Sequence, residues 1–334
     1  MLQFQKAAVT PGDVHVNTPL TNISLGIFQT AEGFVADKVF PNVPVAKQSD
    51  IFYTFDRGYF NRDEMDKRAP ATESKGGSYS IDTDLYYAPV YAFHHDIDDQ
   101  RRANSDSALE PDREATALVT MKGLIRREKM WANAYFRTGI WENERTGVTS
   151  GETPGTSVRQ WNDADSNPIG DVREARTVIA ETTGLRPNTL IIGSRVLNAL
   201  LDHPDIVDRV KYGTGNRTVA DIDVAELQAL FKIPRIFVME GVENTAKEGQ
   251  DNVHTFIGGK HALLAYAAPS PGMQTPTAGY TFSWTGYLGA APNGLRIKRF
   301  RLENIASDRV EAEMAVVQKL VSADLGFFFL NIVA

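Results

Sequence analysis

The feature that most constrains the fold is a long amphipathic helix predicted over Pro111–Thr138. At 1.5 Å per residue this helix extends for about 40 Å. Its apolar side chains, spaced at 100° intervals, form one broad arc: Ala117, Leu118, Met121, Leu124, Ile125, Trp131, Ala132 and Tyr135. The opposite side carries Arg113, Thr120, Arg127 and Asn133. Pro111 suits a first helical turn and Gly139 suits a C-terminal stop.

One carboxylate, Glu128, falls inside the apolar arc of this helix. Glutamate is rarely buried without a partner. The expected arrangement is therefore an ion pair with a nearby arginine.

Composition excludes several classes of protein. The 334 residues are enough for two domains or one elaborate domain. A formal net charge of −7 argues against a general nucleic-acid binder, although a locally basic face is compatible with it. Cysteine is absent, which excludes disulfides, thiolate catalysis and cysteine-based metal sites. The first residues do not have the pattern of a signal peptide, and no run approaches the length of a membrane span.

Before the helix, the chain is expected to form two extended arms. Four prolines in residues 1–50 favour an N-terminal arm with at most one short helix, around Ile23–Phe34. The aromatic run Ile51–Phe60 and the alternating run Ile81–Ile97 are predicted to pair as a long two-stranded ribbon. In the second strand the apolar residues Ile81, Leu85, Tyr87, Tyr91, Phe93 and Ile97 share one face. An isolated ribbon is marginal in water, so it is expected to lie against something else.

After the helix and a polar loop, helices and strands alternate from Ile169 onwards, which predicts a compact α/β module. Predicted elements include helices at Asp171–Thr183, after Ser194 as a cap, and at Asp205–Tyr212 and Asp223–Phe231. The end of the chain returns to alternating strands. Its last stretch, Phe327–Ala334, is apolar enough that an exposed strand would aggregate, so it is expected to be buried in a sheet.

A search for catalytic patterns finds one cluster, which contains His94, His95, Asp96, Asp98 and Asp99. Histidines and carboxylates can bind zinc or manganese, and a metal-dependent hydrolase is therefore an alternative function. Adjacent histidines on a strand, however, point to opposite faces. The stretch Gly213–Thr218 begins like a dinucleotide-binding loop but lacks the third glycine and follows a predicted helix. The charged residues do not gather into a site and are interpreted as surface residues, so we predict no catalytic residue, cofactor or metal.

The order of these parts resembles the major capsid protein of tailed bacteriophages, whose fold is shared with encapsulin shells and the floor of herpesvirus capsomers. The stretches that carry the resemblance are Gly33–Arg57 and Val172–Tyr212. The resemblance implies an α+β capsid fold with an N-terminal arm, a long extended β-hairpin loop, a peripheral domain with a long spine helix, and a central axial α/β domain. These parts map onto residues 1–50, 51–97, 98–168 with the spine helix at 111–138, and 169–279, while residues 280–334 supply returning strands of the two domains.

The resemblance further implies that copies of the chain form pentamers and hexamers, and then an icosahedral capsid around double-stranded DNA. It places the protein in the virion, assembled in the host cytoplasm, with packaged DNA contacted non-specifically and no membrane partner. Portal, scaffolding or decoration proteins are further partners that such a capsid can have. An encapsulin-like compartment, whose shell has the same fold, is the alternative within this class.

The two predicted strands of the ribbon are separated by a long polar segment, Arg62–Ser80, which we interpret as the tip of an arm that contacts a neighbouring subunit. Its charges balance, and such mixed charges can find complementary charges on a partner. The predicted contact residues are Arg62, Asp63, Glu64, Asp66, Lys67, Arg68, Glu73 and Lys75. A solvated loop is the alternative. The run Arg296–Arg301 is a candidate for a basic inner face, with pairing to acidic neighbours as the alternative.

Overall fold

The computed structural model describes residues 29, 31–105, 110–213, 223–289 and 294–334. The predicted short helix around Ile23–Phe34 and the Gly213–Thr218 loop lie largely outside this range. None of the described helices combines the length and the apolar character that crossing a bilayer requires.

The described residues form helices and strands that are mixed along the chain. The helices are α1 (Ala36–Val39), α2 (Arg57–Phe60), α3 (Asp99–Ala103), α4 (Pro111–Tyr135), α5 (Pro168–Thr183), α6 (Ser194–Leu201), α7 (Pro204–Gly213), α8 (Val224–Phe231) and α9 (Thr285–Leu288). The strands are β1 (Asn42–Val45), β2 (Ser49–Phe55), β3 (Ile81–Tyr87), β4 (Val90–Asp98), β5 (Asn143–Val148), β6 (Ser157–Arg159), β7 (Thr189–Gly193), β8 (Arg235–Met239), β9 (Val242–Asn244), β10 (His254–Phe256), β11 (Ala262–Ala265), β12 (Gly279–Trp284), β13 (Leu295–Leu302), β14 (Ser307–Leu320) and β15 (Gly326–Leu330).

The long helix α4 begins at Pro111, as predicted, and ends at Tyr135, three residues before the predicted end at Thr138. The chain leaves helical geometry at Phe136, before Gly139 turns it with a positive φ of 81°. The buried stripe includes Trp131 and Tyr135. It also includes Arg127, which periodicity placed on the polar side, because Arg127 pairs with Asp37 of the N-terminal segment at 3.5 Å.

The main core surrounds a six-stranded sheet with the order β6-β5-β15-β11-β7-β8. β15 lies in its interior, parallel to β5 and antiparallel to β11. Phe328 and Phe329 of this strand are fully buried, so the prediction that the apolar end of the chain lies within a sheet is confirmed. The C-terminal part of α4 and the apolar side of α5 pack into the same core.

A second sheet is organised by β14, the longest strand. β14 pairs antiparallel with β13 and β4 along its first part and with β12 along its second part, and β1 adds in parallel to β12. A small separate cluster, Ile97, Ala115, Val119, Val310 and Ala312, joins the first turns of α4 to this sheet. The two cores are thus connected by one continuous helix.

The ends of the helices in the α/β segment differ in detail from the predicted ones. α5 begins at Pro168, where Asn167 accepts a hydrogen bond from the Gly170 N–H. Asp223 caps α8 and forms a capping box with Glu226. Ser194 was predicted as a cap but is the first residue of α6, which has no side-chain cap hydrogen bond.

The predicted long ribbon is shorter in the structure. β2 pairs with β3 only up to Tyr87, and the next strand, β4, pairs with β14 instead. Pro89 lies at the break, where its missing N–H cannot donate to a ladder. The alternating run is therefore divided between an arm and the second sheet.

Candidate assembly surface

The arm is a two-stranded antiparallel ribbon, β2 and β3, with Ile51 opposite Leu85 and Tyr53 opposite Thr83. Successive side chains on a strand point to opposite faces, so this register puts all of these residues on one face. The polar segment Arg62–Ser80 connects the far ends of the two strands.

The inner face of the ribbon packs on the body of the subunit through aromatic rings. The Phe52 ring lies 5.3 Å from that of Phe282 on β12, measured between centroids. The Tyr86 ring stacks on the same Phe282 ring at 4.6 Å. Offset stacking of this kind adds to the stabilisation from burial. The sequence does contain a signal for this packing: Phe52 on β2 and Tyr86 on β3 are aromatic residues on the face opposite to that of Ile51 and Leu85. The prediction did not use it.

The ribbon is also held to the body by charges, at Arg57 beyond the far end of β2 and at Asp84 within β3. The Arg57 guanidinium donates to the Asp324 carboxylate at 2.5 Å and to the Ser322 hydroxyl at 2.8 Å. Lys319 lies 3.7 Å from Asp84. The ribbon is therefore fixed to the end of β14, and only the segment beyond it projects from the body.

The outer face of the ribbon is apolar and exposed. Ile51 is 50% exposed, Tyr53 54% and Leu85 61%, and both Ile81 and Tyr87 are similarly exposed. Ile81, Leu85 and Tyr87 belong to the common apolar face that the alternating pattern predicted, whereas Tyr91, Phe93 and Ile97 of that predicted face lie on β4 in the second sheet. Contiguous exposed apolar surface on a folded subunit marks a site of interaction. Among the described residues, nothing covers this face, which we call the outer arm face.

The tip residues predicted from the sequence are all exposed. Several of them contact one another: Arg62 pairs with Glu64 at 3.4 Å, and Lys75 pairs with Asp66 at 3.0 Å. Arg68 donates to the carbonyl of Thr72. Exposed pairs of this kind contribute little to stability. Asp63, Lys67 and Glu73 are exposed on the same segment.

The N-terminal segment is anchored to the body at two points. The Gln29 side chain forms two hydrogen bonds with the backbone of Val242, at 2.7 and 2.8 Å. The buried Glu128 carboxylate of α4 accepts from the N–H groups of Val35 and Ala36, at distances from 2.8 to 3.2 Å. The partners that bind the buried carboxylate are therefore backbone N–H groups of the N-terminal segment and not the predicted arginine: Arg127 pairs with Asp37 and acts on Glu128 through its charge.

Burial raises the pKa of Glu128 to about 7. The hydrogen bonds from Ala36 and Val35 and the charge of Arg127 act in the opposite direction and favour the ionised form. Glu128 is therefore a structural anchor, and its carboxyl lies inside the packed subunit.

The histidines of the candidate metal cluster lie on opposite faces of β4. His94 is opposite Glu311 on β14, whereas the adjacent His95 is opposite Val310. In the part of the chain that the structure describes, no group of histidine and acidic side chains is close enough to hold a metal ion.

The aspartates of that cluster have other partners. Asp96 accepts two hydrogen bonds from Arg309, both at 2.7 Å, which lower its pKa. Asp99 binds Arg301, which lowers the pKa of Asp99 in the same way. Asp98 accepts from a backbone N–H and caps α3. These aspartates therefore serve the fold.

The basic run Arg296–Arg301 is paired with acidic residues, as the alternative interpretation had it. The pairs are Arg296 and Lys298 with Glu313, Arg299 with Asp308 and Asp112, and Arg301 with Asp99. Burial of the Glu313 carboxyl disfavours its charge, but hydrogen bonds from Lys298, Arg296 and Tyr287 outweigh this and lower its pKa to about 2.

Glu313 gives a pH-dependent contribution to stability. Its folded pKa of about 2 lies below the ordinary value of 4.5, so the ionised carboxylate stabilises the subunit above pH 4.5. We expect this contribution to disappear as the pH falls from 4.5 through about 2. Urea unfolding at a series of pH values should show a shallower acid loss for Glu313→Gln than for the unmodified chain. Glu248→Gln, an exposed control, should keep the original profile, and equal profiles for all three would contradict the assignment.

No family model matches the chain, but two phage proteins are similar to it over most of its length. The major capsid protein of Pseudomonas phage JBD67 is 28% identical over 320 residues, which cover 90% of this chain and 92% of that protein. The major capsid protein of Burkholderia phage BcepMu is 24% identical over 278 residues, which cover 81% of this chain and 84% of that protein. The resemblance stated from the sequence is confirmed.

Solved structures share the fold. A phage-related protein from Bordetella bronchiseptica superposes with a TM-score of 0.66 at 21% identity, covering 95% of this chain and 98% of that one. The subunit of the bacteriophage PhiM1 mature capsid superposes with a TM-score of 0.56 at 13% identity, and the match covers 99% of this chain and 91% of that one. The encapsulin of Synechococcus elongatus superposes with a TM-score of 0.52 at 10% identity, and the match covers 88% of this chain and 85% of that one. The predicted capsid fold is confirmed, and at these identities the likeness concerns the fold alone.

Proposed function

We propose that this chain, a structural capsid subunit of the tailed-phage major capsid protein type, assembles with copies of itself into pentamers and hexamers that close into an icosahedral shell around double-stranded DNA. The chain is a structural protein and not an enzyme, and its place is the capsid of the virion. The sequence similarity to two phage major capsid proteins supports a phage capsid over an encapsulin compartment. The encapsulin alternative is supported by similarity of fold alone.

The observation that carries the proposal is the exposed outer arm face. A subunit that remained a monomer would leave these apolar side chains in water, at a cost of about 25 cal/mol per Å² relative to burial. A second copy of the chain is the partner that a shell supplies to every arm. Many weak contacts of this kind suffice, because closure of the shell makes them multivalent.

The parts of the chain have distinct roles in this proposal. The axial domain, residues 169–279, lies at the capsomer centre, and residues 98–168 form the periphery. Residues 280–334 return to both, because β12, β13 and β14 belong to the second sheet whereas β15 joins the six-stranded sheet. β5 and β6 pair into that same six-stranded sheet, so they go with the axial domain in this proposal.

The N-terminal arm, predicted over residues 1–50, packs on its own subunit in its described part, through Val35, Ala36 and β1. The hairpin arm, predicted over residues 51–97, reaches a neighbouring subunit through the outer arm face and the tip, since β4 pairs with β14 of its own subunit. Assembly in the host cytoplasm and contacts with portal, scaffolding or decoration proteins belong to the same proposal, supported by the likeness to phage capsid proteins.

The arm tip is proposed as the charged part of the same contact. Its residues Arg62, Asp63, Glu64, Asp66, Lys67, Arg68, Glu73 and Lys75 are exposed, and their charges balance. The ion pairs within the tip are weak enough to exchange for pairs with a neighbour.

The experiment that tests the function is negative-stain microscopy of the purified protein over a range of concentrations. Rings or closed shells are the expected result. A population that stays monomeric at high concentration would overturn the proposal. Extraction of DNA from shells produced during infection, as opposed to a protein cargo, would distinguish a phage capsid from an encapsulin.

Deletion of Asp63–Gly77 is expected to leave a folded subunit that cannot form shells. The deleted residues are exposed, so the helical circular dichroism signal should stay close to that of the unmodified chain. The matched control replaces the same residues with a Gly-Ser segment of equal length. Shells from the deletion would contradict the role of the tip. Shells from the control alone would show that reach matters and the charges do not.

A further inference from the structure

The exposed side of α4 carries a line of cations. Lys122, Arg126 and Lys129 are spaced four and three residues apart, so they lie on one side of the helix. With a rise of 1.5 Å per residue, they follow the helix axis for about 10 Å. Asn133 extends the same line by one turn with an exposed amide. We call these three cations the α4 basic stripe.

The charge of this stripe is largely unneutralised. Arg126 lies over the Tyr91 ring, 4.8 Å from its centroid, and within the described residues neither Arg126 nor Lys122 has an acidic side chain within 4.0 Å. Lys129 pairs with Glu243. By contrast, every cation of the run Arg296–Arg301 has an acidic partner. The stripe is thus the better basic surface on a chain whose net charge is −7.

A groove of about 390 Å³ runs beside the stripe, between α4 and β14. Arg126, Lys129 and Asn133 form one side of it, and Gln318 lies on the other. Gln318 is only 7% exposed, and its amide Nε2 has no hydrogen-bond acceptor among the described residues. A buried donor left without an acceptor costs about 1–3 kcal/mol. The rest of the lining, Met130, Ala134, Tyr135 and Val317, is mostly apolar, so the positive charge of the groove comes from Arg126 and Lys129 on the α4 side.

We propose that the α4 basic stripe and the adjoining groove bind the phosphodiester backbone of double-stranded DNA. This inference rests on the proposed function, in which the shell encloses DNA, and it names the residues that make the contact. The stripe continues past the groove to Lys122. A line of cations of this kind fits the regularly spaced phosphates of a DNA strand better than it fits a short acidic segment of protein. Phosphate contacts from lysine, arginine and side-chain amides are independent of sequence. The exposed side of α4 accordingly lines the interior of the shell.

The test uses capsomers and a fluorescent duplex of random sequence, about 30 base pairs long, with binding followed by anisotropy between about 50 and 200 mM salt. The variant carries Lys122→Gln, Arg126→Gln and Lys129→Gln. Each lost phosphate contact reduces the slope of log K against log salt by about 0.9, so we expect a reduction of about 2.7 and more than about tenfold weaker binding at low salt.

The matched control removes the same charge from exposed positions elsewhere, with Arg173→Gln, Arg195→Gln and Lys247→Gln. It should keep the slope of the unmodified chain. An equal loss in both variants, or no loss in the stripe variant, overturns the inference. Displacement of the duplex by poly-glutamate at equal charge concentration would also overturn it and assign the groove to an acidic protein segment.

Shell formation is followed in parallel by microscopy. If the unmodified chain forms shells and the stripe variant binds DNA normally, the inference about the α4 basic stripe is wrong and the proposed function still stands. If the unmodified chain forms no shells, the proposed function fails independently of the stripe.

Discussion

Replacement of Tyr53 and Leu85 by aspartate is expected to abolish shell formation while the subunit stays folded. Both side chains are more than half exposed on the outer arm face, so the folded subunit loses little burial. In a shell the same positions would lie against a second copy of the chain, and two unpaired carboxylates buried there would each cost several kcal/mol. We expect shell formation to be lost completely, because in the proposed shell every subunit makes this contact.

The measurement combines negative-stain microscopy with size-exclusion chromatography. The double variant should elute as unassembled subunits, with the circular dichroism spectrum and urea midpoint of the unmodified chain. Val253→Asp with Met273→Asp is the matched control, because it places the same charges on exposed apolar residues away from the arm. Normal shells from the arm variant, or failure of both variants, would contradict the assignment of the outer arm face.

The largest effect on stability is expected for Phe328→Ala. Phe328 lies on β15 in the interior of the six-stranded sheet, is fully buried, and packs edge-to-face on Phe136 at 5.6 Å between centroids. Truncation of a buried phenylalanine removes its transfer free energy and leaves a cavity, which together cost about 3–5 kcal/mol. The free energy of unfolding should fall by that amount, a large share of the stability of a typical domain.

Urea unfolding of subunits kept below the assembly concentration measures this loss. Phe300→Ala is the control: its ring lies on β13 and is 40% exposed, so a change within about 0.5 kcal/mol is expected. A loss below about 1 kcal/mol for Phe328→Ala would mean that the sheet interior closes around the missing ring.

Elements governed by local rules were predictable from the sequence. The long helix begins at the predicted proline, and Asp223 begins its helix through a capping box that is visible in the sequence spacing. The apolar character of the last strand was sufficient to predict its burial. In each case the residues that reveal the element in the sequence are the same residues that stabilise it, and they lie within one short segment.

Features that depend on distant segments were not predictable. The division of the alternating run at Pro89 depends on β14, which lies more than two hundred residues later and takes β4 as its neighbour. Arg127 is buried because Asp37 of the N-terminal segment reaches it. Periodicity reports which residues share a face and does not report what covers that face.

The residues of the candidate assembly surface were predictable in part, because some of them follow a local pattern and others depend on distant segments. The alternating pattern identified the apolar residues of the arm and the polar tip between its strands. Which basic run keeps free charge is decided by acidic partners on other strands, such as Glu313 beside Arg296 and Lys298. The sequence places basic residues in both the run Arg296–Arg301 and α4, and only the structure separates paired cations from unpaired ones.

The interior position of β15 has a consequence for biosynthesis. Its parallel partner β5 and its antiparallel partner β11 both leave the ribosome before it, so the six-stranded sheet stays divided until residues 326–330 have been synthesised. Contacts between such distant segments form slowly, because a long loop must close first. A nascent chain therefore lacks its complete main core until these residues have been made. The second sheet, to which the arm is fixed, likewise has to wait for β14, residues 307–320. Vectorial synthesis thus delays a correctly held arm, and with it the capacity for self-association, until both late strands are present.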